Sequence, residues 1–446
     1  MAYDIIIGRS VADRKSFGDD GTIFIGKSYV KMGRTTSLSN NVFLDVNRSH
    51  VILVSGKRGS GKSYSLAGIA EGISNLPPKY AQNISVLLFD TMGIFWTMKY
   101  KNEKDESLLK EWGLEGKGLN VQVYAPKGKF KELKNQGIPV DFPFAIAPNE
   151  LTGEDWQLTF GLTMTNPIAI LIEKVLYDFT EQKILEYGIP DIIKAIEKVD
   201  MNKDIKISAI NQFRATQGWG LFDKKATPLK EIVQAGKVSV LDVSVYTYSE
   251  GGWGVKNLVI GLVSKKLFIE RMIARKKEEL KIIQEGYSYF KRKQESNEKD
   301  EFPLVWLVLD EAHEALPNEG QTPATEALVT ILREGRQPGI SLILATQQPG
   351  KIHSDVMTQS DIVLSHRITA KPDIEALNTM MQSYLLADLT TQLNNLPREK
   401  GAAIILDDNS ERLYPMKIRP RFTWHGGEAP TVIKKEKTIE IELGLE

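Results

Sequence analysis

The hydrophobic pattern of the chain is made of short, continuous apolar runs. The clearest are His50–Ser55 (HVILVS), Ile84–Asp90, Val238–Val243, Leu304–Asp310, Ile340–Thr346, Ile362–His366 and Ala402–Leu406. Strands buried on both faces of a parallel sheet need such runs. Most are separated by stretches of helical periodicity, so a doubly wound, mostly parallel α/β sheet is predicted. Residues 1–46 differ: Thr22–Ile25 and Val42–Val46 are strand-like pieces among Gly, Ser and Asn turns, which predicts a short β-rich segment. Residues 147–235 lack the long apolar runs and predict a helical insertion. Thr152 and Asp155 have capping-box spacing there, and Asn166-Pro167 is an N-cap followed by proline at the first helical position. Ile168, Leu171, Ile172, Val175, Leu176 and Phe179 then fall on one helical face. From about residue 262 to 300 a long charged helix is expected to run into a polar stretch (FKRKQESNEKDE). A solvated helix and loop is the plain interpretation; an arm touching DNA or a neighbouring subunit is the functional one.

Composition narrows the chemistry. Lys+Arg and Asp+Glu both number 57, so the chain has no general attraction for nucleic acid, and any such site must be a local patch or a ring made by assembly. There is no cysteine, which excludes disulfides, thiol catalysis and Cys-ligated zinc. No apolar stretch approaches bilayer length, and MAYDIIIGRS lacks the layout of a signal peptide; a soluble cytoplasmic protein without membrane contact is expected.

One segment carries specific chemistry. Gly56-Lys57-Arg58-Gly59-Ser60-Gly61-Lys62-Ser63 fits G-x-x-x-x-G-K-[ST], follows a buried-type strand and precedes a helix starting near Lys62. Such a loop lets backbone N–H groups curl around phosphates at a helix N-terminus. Gly56, Arg58, Gly59, Ser60, Gly61, Lys62, Ser63 and Tyr64 are therefore the expected nucleotide-binding residues. Lys62 reaches the β- and γ-phosphates of ATP, and Ser63 binds Mg²⁺. The fold is accordingly expected to be a RecA-like P-loop core over residues 47–426, containing the 147–235 insertion, with a tail at 427–446.

Further residues complete the expected machinery. LVWLVLDE is an apolar strand ending in two acids: Asp310 as the metal ligand and Glu311 as the residue that orients and polarises the attacking water. His313 follows without an assigned catalytic task, as a packing or sensing residue. Gln347, at the end of ISLILAT, is the expected γ-phosphate sensor. In LREGRQ, Arg336 and, second to it, Arg333 are candidates for an arginine offered to a neighbour's γ-phosphate; cations stabilising a helix C-terminus are the alternative. Asp90 either supports the metal's water shell or caps the turn after its strand.

In this order, GKRGSGKS, LVLDEAHE, LREGRQPGI and LILATQQPG resemble the HerA ATPases of the HerA/FtsK superfamily, over roughly residues 20–426. The resemblance implies a homo-hexameric ring with ATP between subunits, an arginine finger in trans and double-stranded DNA in the pore. It also implies, in archaea, a NurA-type nuclease partner. The chain departs from the family's pattern at three places. Only about fifty residues precede the P-loop strand where a larger barrel is usual, so residues 1–46 are expected as a reduced barrel, which counts against a NurA-type partner. Ile94 stands where an acid is common, and Gln348 where arginine is common. An ATP-driven DNA translocase or helicase is thus the leading expectation. A protein-remodelling or assembly ATPase is the alternative; a conjugative coupling pump would call for a membrane anchor. Lys203, Lys206, Arg214, Arg275, Lys276 and Lys277 are candidate DNA contacts.

Overall fold

In the computed structural model, described for residues 3–32, 35–247, 251–287, 302–381, 392–393 and 395–427, the apolar runs become one large sheet. Its strands in chain order are β1 (Ile5–Ile7), β2 (Thr22–Met32), β3 (Thr35–Asp45), β4 (Val51–Ser55), β5 (Ile84–Asp90), β6 (Val121–Pro126), β7 (Phe142–Phe144), β8 (Val238–Asp242), β9 (Leu304–Leu309), β10 (Ile340–Thr346), β11 (Ile362–His366), β12 (Ala402–Asp407) and β13 (Arg412–Ile418). Their spatial order is β1-β3-β2-β13-β12-β11-β4-β10-β9-β5-β8-β6-β7. From β11 to β7 every pairing is parallel, whereas β11–β12, β12–β13, β13–β2 and β2–β3 are antiparallel. Where a reduced barrel was expected at residues 1–46, the described residues add three strands to the far edge of the main sheet, joined to it through β13 and β2.

The central strands are buried on both faces, and their side chains alternate between two cores. Leu53, Leu87, Phe89, Leu307, Leu309, Leu342 and Leu344 point to one side. Ile52, Val54, Val86, Leu88, Val308, Ile343 and Ala345 point to the other. On the first side lie the insertion helices and the long helix Gly252–Tyr287, centred on the buried Trp156, which contacts Phe160, Phe213 and Phe222. On the second side lies the Lys62–Ser74 helix, through Leu66, Ala67, Ile69, Ala70 and Ile73. Each fully buried large aliphatic contributes about 1.5–3 kcal/mol, so both helical layers are firmly seated.

Within residues 147–235 the two capping signals each start a helix. Thr152 caps Gly153–Phe160, its Oγ1 accepting from Asp155 N while Asp155 accepts from Thr152 N. Asn166 caps Pro167–Glu181. The polar stretch at 290–301 and the tail beyond residue 427 lie outside the described residues.

Candidate active site

β4 lies between β11 and β10, and its C-terminal end feeds the glycine-rich loop. In an open parallel sheet this is the crevice where ligands bind. The loop is tied down at several points. Lys57 N donates to Arg367 O (3.2 Å), Ser60 N to Lys57 O (3.1 Å) and Ser65 N to Gly61 O (2.9 Å). Gly61 has φ 114°, a conformation side chains rarely adopt, and lies directly before the Lys62–Ser74 helix. A Cβ on Gly56 would come within 2.7 Å of His366 Cβ.

His366 had no role in the sequence argument, yet it forms the floor of this loop. It is fully buried at the end of β11, with Nε2 2.9 Å from Ser65 Oγ and Nδ1 3.2 Å from Ala402 O. A carbonyl can only accept, so Nδ1 carries the proton and Nε2 accepts from Ser65. Burial pushes its pKa down to about 4, which keeps the ring neutral beneath the loop. The signal available in the sequence was a histidine closing an otherwise apolar strand.

Charged groups converge above the loop. Lys62 is buried, and its Nζ donates to Lys57 O (3.4 Å). Burial pulls its pKa down, opposed by Glu311 and Asp310. Ser63 Oγ donates to Asp310 Oδ2 at 2.5 Å, and Asp310 Oδ1 accepts from Glu311 N at 2.9 Å. Burial raises the Asp310 carboxyl above its ordinary range, and Glu311 is raised by burial and then by Asp310. Glu311 adopts a left-handed conformation (φ 51°), uncommon for a residue with a side chain and held by its surroundings. Its Oε1 accepts from Gln347 Nε2, and its Oε2 is buried with no hydrogen-bond partner among the described residues, 3.6 Å from His313 Nδ1. Thr346 Oγ1 lies 3.2 Å from the same His313 nitrogen. Lys62, Ser63, Asp310, Glu311 and Gln347 are thus brought together, although they come from three parts of the chain.

These groups suit a magnesium–nucleotide complex. A hydroxyl and a carboxylate in contact are hard oxygen donors of the kind Mg²⁺ takes, and the ion usually keeps waters and substrate phosphates as its other ligands. Among the described residues no cluster of three or more His, Cys, Asp or Glu could hold a metal by itself. A cation here would come with the phosphates it neutralises. The buried, unpartnered Glu311 Oε2 has room in its chemistry for one hydrogen bond from a water.

Other candidates lie elsewhere. Asp90 caps its turn, accepting from Met92 N (3.2 Å), Gly93 N (2.7 Å) and Phe95 N (2.7 Å). Burial, then the adjacent Asp242, push its pKa up to about 7. The Tyr64 hydroxyl accepts from Arg421 N (2.7 Å), and its ring meets His425 edge-on. Arg58 is exposed in the loop. Arg333 pairs with Asp355 (2.7 Å). Arg336 is exposed and has no side-chain hydrogen bond or ion pair among the described residues. Arg333 sits in the last turn of the helix Thr325–Glu334 and Arg336 in the turn before β10, whereas Gln347 follows the end of β10. Seven strand residues separate them, roughly 20 Å. Of the candidate DNA contacts, Lys206 caps backbone carbonyls of Glu197 and Val199, and Arg275 pairs with Glu278 and Glu279.

Sequence reasoning also missed a buried ion cluster behind the loop helix. Glu71, fully buried, accepts from Arg419 (3.1 Å), Arg421 (2.9 Å), Phe422 N (3.0 Å) and Thr423. It fastens residues 419–425 to the helix that carries Lys62.

Comparison with known proteins gives the family and the fold. Residues 30–267, just over half of the chain, match the family described as the central domain of the helicase HerA. A probable helicase of Methanocaldococcus jannaschii is 22% identical over 396 residues, covering 85% of this chain and 65% of that protein. The DNA double-strand break repair helicase HerA of Saccharolobus solfataricus is 23% identical over 389 residues, covering 86% and 67%. A probable DNA double-strand break repair helicase HerA of M. jannaschii aligns over 37% of this chain and 33% of its own length, at 27% identity. The chain therefore spans between one third and two thirds of these relatives. VirB4 of Thermoanaerobacter pseudethanolicus has the same fold, with a TM-score of 0.53 at 14% identity over 90% of this chain and 97% of that one. Among the described residues no helix is long and apolar enough to cross a membrane.

Proposed function

The chain belongs to the family of the HerA helicase central domain, and on that premise we propose that it is an ATP hydrolase working as a cytoplasmic ring of identical subunits, a hexamer, that moves double-stranded DNA. One observation carries the proposal. Lys62, Asp310, Glu311 and Gln347 lie at the C-terminal ends of the central strands, while Arg336, unpaired among the described residues, stands beyond their opposite ends, roughly 20 Å away along β10. A chain cannot bring its own Arg336 to its own phosphates. Two copies packed head to tail can, and a repeated head-to-tail contact forms a ring where its rotation closes.

In the proposed chemistry, Lys62 and the loop N–H groups bind the triphosphate. Ser63 and Asp310 would hold Mg²⁺, which when bound would supply charge neutralisation at the phosphates. Glu311 orients the attacking water through Oε2 and draws off its proton, while Gln347 fixes the carboxylate through Oε1. The neighbour's Arg336 stabilises the charge that develops on the transferred phosphoryl group. His313 braces the Thr346–Glu311 side of the site in its neutral form, its pKa held down by burial.

A protein-remodelling ATPase is the second reading. It is favoured by the zero net charge and by the engagement of Lys206 and Arg275 in contacts of their own. Steady-state ATP hydrolysis with and without linear double-stranded DNA, over a salt series, separates the two. Stimulation that fades as salt rises supports contacts to backbone phosphates. Hydrolysis indifferent to DNA at every salt concentration overturns the DNA motor and leaves the remodelling ATPase.

A further inference from the structure

Arg336 lies on a tight turn, closed by Gly339 N donating to Arg336 O (3.3 Å) and Ile340 N to Gly335 O (2.8 Å). Beyond these local bonds, Val305 N donates to Gly339 O (3.2 Å) and ties the end of the turn to β9. Arg271 on the long helix holds the turn one residue earlier, at Pro338. Arg271 is fully buried, donating through Nε to Pro338 O at 2.7 Å and through Nη1 to Phe302 O at 2.5 Å. Glu278 balances its charge at 3.1 Å. One planar guanidinium therefore ties the entrance of β10 to the entrance of its neighbour β9. Those two strands carry Gln347 and Asp310 just beyond their other ends.

Resting on the shared-site reading above, we infer that Arg271 is the positioning residue for the arginine finger. Three further observations support it. Among the described residues the third nitrogen, Nη2, is buried without a hydrogen-bond partner, and a Cβ added to Gly339 would lie 3.3 Å from it and 2.4 Å from Leu304 Cδ2, so the turn is packed against both side chains. Arg271, Arg275, Arg336 and Gln337 border one open cavity of about 380 Å³, so Arg271 forms the inner wall of the space Arg336 overlooks. The same helix is braced near its start, where Lys256 pairs with Glu314 (3.0 Å) and Asn257 donates to Glu314 O (3.2 Å), three residues beyond Glu311. From Asn257 to Arg271 is about 21 Å of continuous helix. A single rigid element thus touches both the turn after Glu311 and the turn that carries Arg336.

The fork geometry makes a prediction that charge alone does not. Lysine keeps the positive charge beside Glu278 but lacks the rigid planar fork that fixes Pro338 O against Phe302 O. Arg271→Lys is therefore expected to leave KM for ATP within about twofold and to lower kcat on the order of 10–100-fold, as misplacement of a catalytic group does. Mixing it with Lys62→Ala subunits should restore turnover, because the Lys62→Ala subunit offers a correctly held finger to the intact loop of the Arg271→Lys subunit. A second variant, Gly339→Ala, displaces the same turn and should behave alike. The φ of 84° at Gly339 disfavours a side chain, and the added Cβ would meet Leu304 Cδ2 at 2.4 Å as well as Arg271 Nη2 at 3.3 Å. Arg336→Ala, mixed in the same way, is the control. If it is rescued and neither turn variant is, positioning by Arg271 is wrong. Wild-type kcat in Arg271→Lys overturns it as well. If Arg336→Ala itself turns over normally, the shared-site reading fails and the inference falls with it.

Discussion

Replacing Glu311 by glutamine changes one atom at the centre of the proposed chemistry. The glutamine carbonyl oxygen can take the place of Oε1 and still accept from Gln347 Nε2. The amide nitrogen then replaces Oε2, the buried atom without a hydrogen bond, beside His313. The fold should barely register the change, but the group that would take a proton from water is gone. A positioned general base is worth about 10²–10⁴-fold in rate, which is about 3–5 kcal/mol of barrier. Binding should not suffer. Lys62 is flanked by two carboxylates, and removing one leaves a site less repulsive to phosphates. The assay pairs equilibrium titration of a fluorescent ATP analogue with single-turnover hydrolysis. Expected are a Kd equal to or tighter than wild type and a chemical step slowed at least about 100-fold. The pH profile adds a second readout. Burial, then Asp310, hold the Glu311 carboxyl above its ordinary range. The carboxylate must be ionised to act, so wild-type turnover should fall off on the acid side at a pH above that range, and the variant's residual turnover should lack this limb. An unchanged chemical step would refute the reasoning outright, and lost nucleotide binding would reassign Glu311 to holding the loop.

Three other substitutions test separate parts of the account. Lys62→Ala should abolish hydrolysis by removing the buried ammonium above the loop; wild-type turnover would refute the P-loop assignment. Glu71→Ala leaves Arg419 and Arg421 buried and uncompensated, and should cost about 3–5 kcal/mol in denaturant unfolding; a loss under about 1 kcal/mol would mean the cluster contributes no stability beyond a surface pair. His50 is buried between Asp361 (2.6 Å) and Asp45 (3.8 Å), the latter also paired with Arg9 (2.6 Å). Burial alone would lower its pKa, but the two carboxylates together override this and raise it to about 9. The folded pKa thus exceeds the unfolded one, so this stabilisation is complete below about pH 6.5 and is lost as pH rises through 9. The stability gap between wild type and His50→Gln should shrink across that window, by about 3 kcal/mol at most; a gap independent of pH would show that His50 is not charged in the fold.

The parallel half of the sheet was legible because its strands are buried on both faces, and continuous apolar runs such as Ile84–Asp90 and Ile340–Thr346 admit few other interpretations. β6 was missed because Gln122 and Pro126 interrupt and close Val121–Pro126, although the strand is otherwise buried. β13 was missed because Pro415 and charged residues disguise an antiparallel strand that is half exposed. The loop, Asp310 and Glu311 could be found because chemistry fixes their spacing. That Gln347 bonds Glu311, rather than facing only phosphate, depends on the adjacency of β9 and β10, which no local pattern encodes. His366 and Arg271 lay outside any motif, and their roles depend on partners such as Ser65 and Pro338, which lie far from them in the chain.

The central claim is that each active site is built by two copies of the chain. Mixing Arg336→Ala with Lys62→Ala subunits, each inactive alone, across a range of ratios tests it most directly. The account predicts recovered ATP hydrolysis that peaks near equal mixing, since each interface joining an intact loop to an intact finger is active. No recovery at any ratio, with mixed assemblies verified by mass, would contradict it.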